Sequence, residues 1–257
     1  LGLGFDVLRE RNPEIVFVDS SGYGDTGPWR DRPAFDLVEV AISGHMSITG
    51  EPGRPPARPG TPSADISTAL YCALACMAGL LGKAKGKGAQ HMEVPMFDVQ
   101  LAMLGYISTM YLNKGDLPGP QGSAHEYMVP YQAFPTGTGH IVLSPREDRF
   151  YKKMCVAMGI PELGDDPRFL TNELRFKNQT ELLPVMEKIL LEKSAEEWLA
   201  IFEEGGELEN PGLLANLDIQ TAFHEIHGRL NEAESHCKRA LNIREKYLGS
   251  EHPYLAG

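Results

Sequence analysis

The sequence predicts an α/β protein, and three observations carry that prediction. A continuous β-branched and aromatic run at residues 15–18 ends in the glycine-rich stretch DSSGYGDTGPW, as a parallel strand covered on both faces does. Apolar segments of helical length follow at residues 66–81 and 96–112, with a short strand-like HMEV between them. Strand and helix signals alternate, which is the pattern of a parallel sheet with crossover helices.

Taken in order, residues 4–12 read as a short helix stopped before Pro13, and the strand at 15–18 follows. The loop after it places Gly22, Tyr23 and Gly24 at the carboxyl end of a parallel strand, where open α/β sheets hold ligands on backbone N–H groups. Its glycine spacing fits neither a phosphate-binding nor a dinucleotide fingerprint, so by itself the signal is weak. A second helix is expected over 35–47. The proline-rich GEPGRPPARPGTP then reads as an extended, rigid connector rather than a ligand for a proline-recognition module.

Asp65 stands at the mouth of the segment GTPSADISTALYCALACMAGLLGK. As an N-cap it would accept hydrogen bonds from first-turn N–H groups, with its charge favoured by the helix dipole. The helix after it is apolar nearly all round, with Ile66, Leu70, Leu74, Met77 and Leu81 on one face, which predicts full burial. A carboxylate carried inward with such a helix is partly desolvated yet ionised, the state of a nucleophile or base. The apolar stretch has only 16 residues, short for a membrane span.

Glycines and lysines in GKAKGKG end that helix, HMEV reads as a strand, and residues 96–112 as one largely buried helix. From residue 117 the chain turns rich in proline, glycine and aromatics, so a new domain is expected near 118, with a strand at 140–143. Helices are expected at 146–158, 177–191 and 195–204. Ser194 and Glu197 form a capping box for the last, and Pro184 is tolerated if its helix starts near Leu182.

The charge of −11 argues against nucleic-acid or anionic-membrane partners. Cys72, Cys76, Cys155 and Cys237 show no metal-ligand spacing and no disulfide density, so they read as core packing in a reducing compartment, and no metal is expected. A cytoplasmic location follows, or a mitochondrial one, since the chain opens at Leu1 without methionine and an N-terminal portion is expected to be missing.

Several segments in order, LGLGFDVLRERNPEIVFVDSSGYGDTGPWRDRPAFDLV, SGHMSITGEP, PSADISTALYCAL, GAQHMEVPMFDVQLAML, VPYQAFPT and DDPRFLTNELRFKNQTEL, resemble the class III CoA-transferases, the formyl-CoA and carnitine CoA-transferase family, over residues 1–204. The resemblance implies a partial Rossmann-like large domain over 1–117, a smaller α+β domain over 118–212 and a homodimer. It implies no permanently bound cofactor; coenzyme A enters as an acyl-CoA substrate, with a small carboxylic acid as acceptor. It places the covalent nucleophile at Asp65, and contacts to coenzyme A or the acyl group at Pro33, Ala34, Phe35 and Asp36. Some members carry a lysine where this chain has Pro33. Phe35 and Asp36 can equally do no more than start a helix. Backbone N–H groups of loop 22–24 can serve a developing oxyanion.

The tail HGRLNEAESHCKRALNIREKYLGSEHPYLA resembles the second half of a tetratricopeptide repeat, giving a short all-α tail over 213–257 that needs more repeats or another surface, such as a protein partner, to pack on. Two rival readings remain. An acyl-CoA racemase of the same superfamily would need an imidazole at position 35, where the chain has Phe35. An inactive fragment or fusion serving as an interaction module would fit the repeat-like tail.

Overall fold

The computed structural model describes residues 2–204 together with Glu234, Cys237 and Lys238; apart from these three, the expected tail over 213–257 lies outside the described residues. The chain forms two compact units, residues 1–122 and 123–257.

The first unit runs α1 (Phe5–Arg11), β1 (Val16–Asp19), α2 (Asp36–Ile42), α3 (His45–Ile48), α4 (Ser63–Ala84), β2 (Gln90–Glu93), α5 (Met96–Met103) and α6 (Tyr106–Lys114). β1 and β2 pair in parallel, with Val16 opposite Gln90 and Asp19 opposite Glu93. Side chains alternate along a strand, so Val16 points to α4 while Phe17 points the other way, where its ring lies 6.1 Å from Phe5 and 5.3 Å from His91. All four β1 residues are half-buried, against the expectation of a strand covered on both faces.

Two expected helices are each broken in two. The backbone takes positive φ at Gly44 (93°) and Gly105 (55°), a region that costs any other residue, and the helices end there. The stretch over 96–112 is also far less buried than expected, with Val99 and Gln100 its buried residues in α5 and none in α6.

The largest departure concerns α4. Its inner face is made of small residues: Ala64, Ser67, Thr68, Gly79 and Gly82 are its buried positions. A methyl group at Gly79 would come within 2.4 Å of Val16 and 2.6 Å of Met92, and one at Gly82 within 2.4 Å of Gln90, so the helix backbone rests directly on the two strands. Gln90 Nε2 donates to the Gly79 carbonyl at 2.9 Å, and Gln100 Nε2 to Ser67 Oγ at 2.8 Å. The bulky residues face outward: Ile66, Leu70, Leu74, Met77 and Leu81 are 50–62% exposed. Full burial of α4 is therefore corrected to burial of one stripe. By length and composition alone, its 22 residues are also enough to cross a membrane, which the 16-residue apolar stretch had argued against.

The second unit opens with an antiparallel hairpin, β3 (Gln132–Thr136) and β4 (Gly139–Leu143), with Phe134 opposite Ile141. Helices α7 (Asp148–Ala157), α8 (Pro161–Asp165), α9 (Asn172–Lys177), α10 (Gln179–Leu190) and α11 (Ala195–Glu204) follow. Phe134, Ile141, Tyr151, Met154, Leu182, Met186 and Leu199 form its core. Arg175 lies fully buried among them, donating to the carbonyls of Val129 (2.7 Å) and Phe169 (3.0 Å) and to Asp148 Oδ1 (2.9 Å), with its guanidinium 4.3 Å from the Tyr151 ring centre. Every side of that cation is answered, which is the condition for burying it.

The capping box forms at α11: Glu197 N donates to Ser194 Oγ and Ser194 N to Glu197 Oε2, and these bonds hold the Glu197 carboxyl below its usual range. Pro184 sits inside α10, which starts at Gln179 and not near Leu182. Of the cysteines, Cys155 alone is buried; Cys72 is half-buried, and Cys76 and Cys237 are exposed, so the reading of all four as core packing is corrected. The seat of α4 generates a stability prediction. Gly79→Val should lower unfolding stability by roughly 1–3 kcal/mol, read as a lower urea midpoint at unchanged slope, and a wild-type midpoint would mean that helix and sheet are not in close contact.

Candidate active site

Pro62 precedes α4 and has no side-chain acceptor, so the first-turn amides of that helix need a partner from elsewhere. Asp36 provides it. Its Oδ1 accepts from the N–H of Ala64 at 2.8 Å and, at 3.4 Å, from that of Asp65. Asp36 is itself the first residue of α2, so one carboxylate joins the start of α2 to the start of α4. The role expected of Asp65 as N-cap thus belongs to Asp36. Asp65 is the third residue of α4, in the first turn, where the dipole favours negative charge.

Asp65 is exposed, as is the apolar face that begins beside it at Ile66. The expectation of a desolvated carboxylate is corrected for this chain: α4 turns its small face inward, and position 65 does not lie on that stripe. Phe35 is 67% exposed, Pro33 exposed, and Ala34 and Asp36 half-buried.

The glycine loop is brought to the same helix. A methyl group at Gly22 would lie 2.4 Å from Ala34 Cβ, so the loop sits on the residue two places before Asp36. Met96 N donates to the Ser21 carbonyl (2.9 Å) and Phe97 N to that of Gly22 (3.0 Å), tying the loop to the start of α5. The Tyr23 ring stands edge-on to Trp29 at 5.3 Å and near Phe97 at 6.4 Å, and Arg32 lies over Trp29. The Gly24 amide is engaged by Ser21 Oγ at 2.9 Å, which leaves those of Gly22 and Tyr23 as the loop's available donors among the described residues.

One residue of this cluster was missed in the sequence. Glu39, on α2 one turn after Asp36, is fully buried, and the Tyr23 phenol is the side chain that acts on its carboxylate. Burial pushes its carboxyl above the usual range, an effect the Tyr23 phenol opposes in part. The Tyr23 phenol is itself raised, first by burial and then by Glu39. The available signal was a charged residue set between Val38 and Val40 in an apolar helical run.

Two other features lie in the same unit. Asp19, Asp25 and His91 bring potential ligand atoms within 4.8 Å of one another at the strand ends, on a half-buried to exposed surface. An apolar cavity of about 490 Å³ is lined by Ser43, Ile48, Leu101, Leu104, Tyr111 and Leu117 among others; neither Asp36 nor Asp65 lines it.

The cap geometry is directly testable. Asp36→Ala should cost about 1 kcal/mol, the typical worth of a helix cap, and speed amide hydrogen exchange at Ala64 and Asp65 while leaving exchange in the second unit unchanged.

The model of CoA-transferase family III matches residues 1–213. An acyl-CoA transferase of Fusarium pseudograminearum is 37% identical over 206 residues, covering 80% of this chain and 45% of the relative. Succinyl-CoA:glutarate CoA-transferase of Homo sapiens is 37% identical over 207 residues, covering 80% of this chain and 47% of the relative. A crystal structure of a CAIB/BAIF family protein from Brucella suis matches with a TM-score of 0.68 at 31% identity, over 79% of this chain and 54% of that one. The chain spans about half the length of the curated relatives it matches. Over most of its length, then, the chain belongs to CoA-transferase family III.

Proposed function

We propose that this chain carries the nucleophile-bearing part of a CoA-transferase, with Asp65 as the residue that forms covalent intermediates. The observation that carries the reading is the placement of Asp65 in the first turn of a helix whose opening is held by Asp36, beside the residues of the CoA-transferase resemblance. An Asp65 carboxylate oxygen attacks the acyl-CoA carbonyl, and breakage of the C–S bond expels coenzyme A as thiolate and leaves a mixed anhydride on Asp65. The thiolate then attacks the Asp65 carboxyl carbon, expelling the donor acid and leaving an aspartyl-CoA thioester. The acceptor carboxylate attacks that thioester, and the returning thiolate attacks the acceptor's acyl carbon, releasing the new acyl-CoA and free Asp65. The thioester is conserved provided water is excluded.

The names of the relatives favour an acyl-CoA donor and a small carboxylic acid acceptor, with a dicarboxylate in one of them. The amides of Gly22 and Tyr23 are the oxyanion donors in this reading, and Pro33, Ala34 and Phe35 contact coenzyme A or the acyl group. The parallel pair with α4 across it is taken as part of a Rossmann-like large domain. Water exclusion calls for a cover over the outer face of α4, and a second copy of the chain in a homodimer is the cover we favour. The tail over 213–257 would engage a protein partner. A cytoplasmic or mitochondrial location suits an acyl-CoA substrate, which would be the only coenzyme required.

Incubation of the chain with succinyl-CoA and hydroxylamine should yield a hydroxamate on the Asp65 peptide by mass spectrometry, absent in Asp65→Ala. An unmodified Asp65 peptide, or an adduct that survives the substitution, overturns the assignment. Deuterium exchange at the acyl α-carbon without acceptor would favour the racemase chemistry instead.

A further inference from the structure

The apolar cavity of about 490 Å³ in the first unit has no part in the acyl transfer proposed above, since neither Asp36 nor Asp65 lines it. It lies where two helices break. Ser43 and Gly44 line it at the end of α2, and Leu104, Ile107 and Ser108 line it on either side of the break at Gly105. The positive φ of Gly44 and Gly105 turns the chain at both places, and the hollow is walled by residues of α3, α5 and α6 together with Leu117 and Pro118.

The lining restricts what such a hollow can hold. No charged residue takes part in it. Three of its four side-chain hydroxyls are already spent on nearby carbonyls: Ser43 Oγ donates to Val40 at 3.3 Å, Ser47 Oγ to Gly44 at 2.7 Å and Ser108 Oγ to Gly105 at 2.8 Å. The fourth belongs to Tyr111, which is half exposed. A ligand with several polar groups would find few donors here, and polar groups buried without partners are costly. The volume lies within the roughly 300–1,000 Å³ of small-molecule pockets. A partner helix fits less well. It would set anchors from i to i+7, about 10 Å apart, whereas the four residues of α3 give a wall of about 6 Å.

We propose that this cavity binds a straight aliphatic chain, as carried by a fatty acid or a fatty acyl thioester, with the chain against Leu104 and Ile107 and its polar end at the solvent-exposed Tyr111. The chain is held there and not reacted. The site is separate from Asp65 and does not rest on the acyl-transfer reading.

Calorimetry on the full chain with hexanoate, octanoate and decanoate should find binding that tightens about tenfold with each added pair of methylenes, the gain from taking two such groups out of water. Methyl NMR should show contacts from the decanoate chain to Leu104 and Ile107. Ile107→Trp fills the cavity and should weaken decanoate about tenfold, the loss of two buried methylenes. Leu112→Asn, at a rim position 79% exposed, removes apolar wall without disturbing the fold and should lose part of the affinity. Asp65→Ala should bind decanoate as wild type does, so failure of the acyl-transfer reading and failure of this one are told apart. Decanoyl-CoA displacing decanoate makes a thioester the source of the chain; no displacement makes it the free acid, and either sustains the site. Affinity that does not rise with chain length, or decanoate contacts away from Leu104 and Ile107, overturns the proposal. Cavity methyl shifts that follow protein concentration instead of ligand overturn it too, because a second copy of the chain then fills the space.

Discussion

The place of Asp65 depends on a hydrogen bond made by a different residue. Pro62 cannot cap α4, so the amides of its first turn reach across to Asp36 at the start of α2. A cap of this kind is worth about 1 kcal/mol, small beside the packing of a core. Its importance is geometric, because it brings two helix openings together. Further along the same helix, Ser67 meets Gln100, and Gly79 and Gly82 let the backbone down onto β1 and β2. These contacts along one stripe fix the rotation of α4 about its axis.

That rotation has a consequence for chemistry. With the small residues inward, Ile66, Leu70, Leu74, Met77 and Leu81 form a contiguous apolar face in solvent. Such faces mark surfaces that another protein or another part of one covers, since each buried aliphatic side chain gains about 1.5–3 kcal/mol. Asp65 lies at the edge of this face. Its exposure and that of Ile66 are therefore two aspects of one arrangement, and covering the face would desolvate both together.

The second unit solves a different problem with the same physics. Arg175 is fully buried, and it is tolerated because two carbonyls, one carboxylate and the Tyr151 ring surround it. Glu39 in the first unit is the opposite case, a buried ionisable group for which no such shell has been built. Arg175 is thus a structural centre of its unit, whereas burial raises the Glu39 carboxyl above the usual range.

Local signals were legible in the amino-acid order. The β-branched run at 15–18, the glycines of the following loop and the capping box of Ser194 and Glu197 all express preferences satisfied within a few residues. Even the two faces of α4 could be read off, since helical spacing sorts small from bulky residues. Which face would be buried could not, because an all-apolar helix gains from burying either, and only the closeness of Val16, Met92 and Gln90 selects the glycines. In the same way the cap of α4 passed from Asp65 to Asp36, and Glu39 went unseen, because both depend on residues distant in the chain. Sequence spacing determined what each segment could become; contacts between segments decided which carboxylate caps, which is buried and which faces solvent, since burial and charge stabilisation depend on neighbours in space.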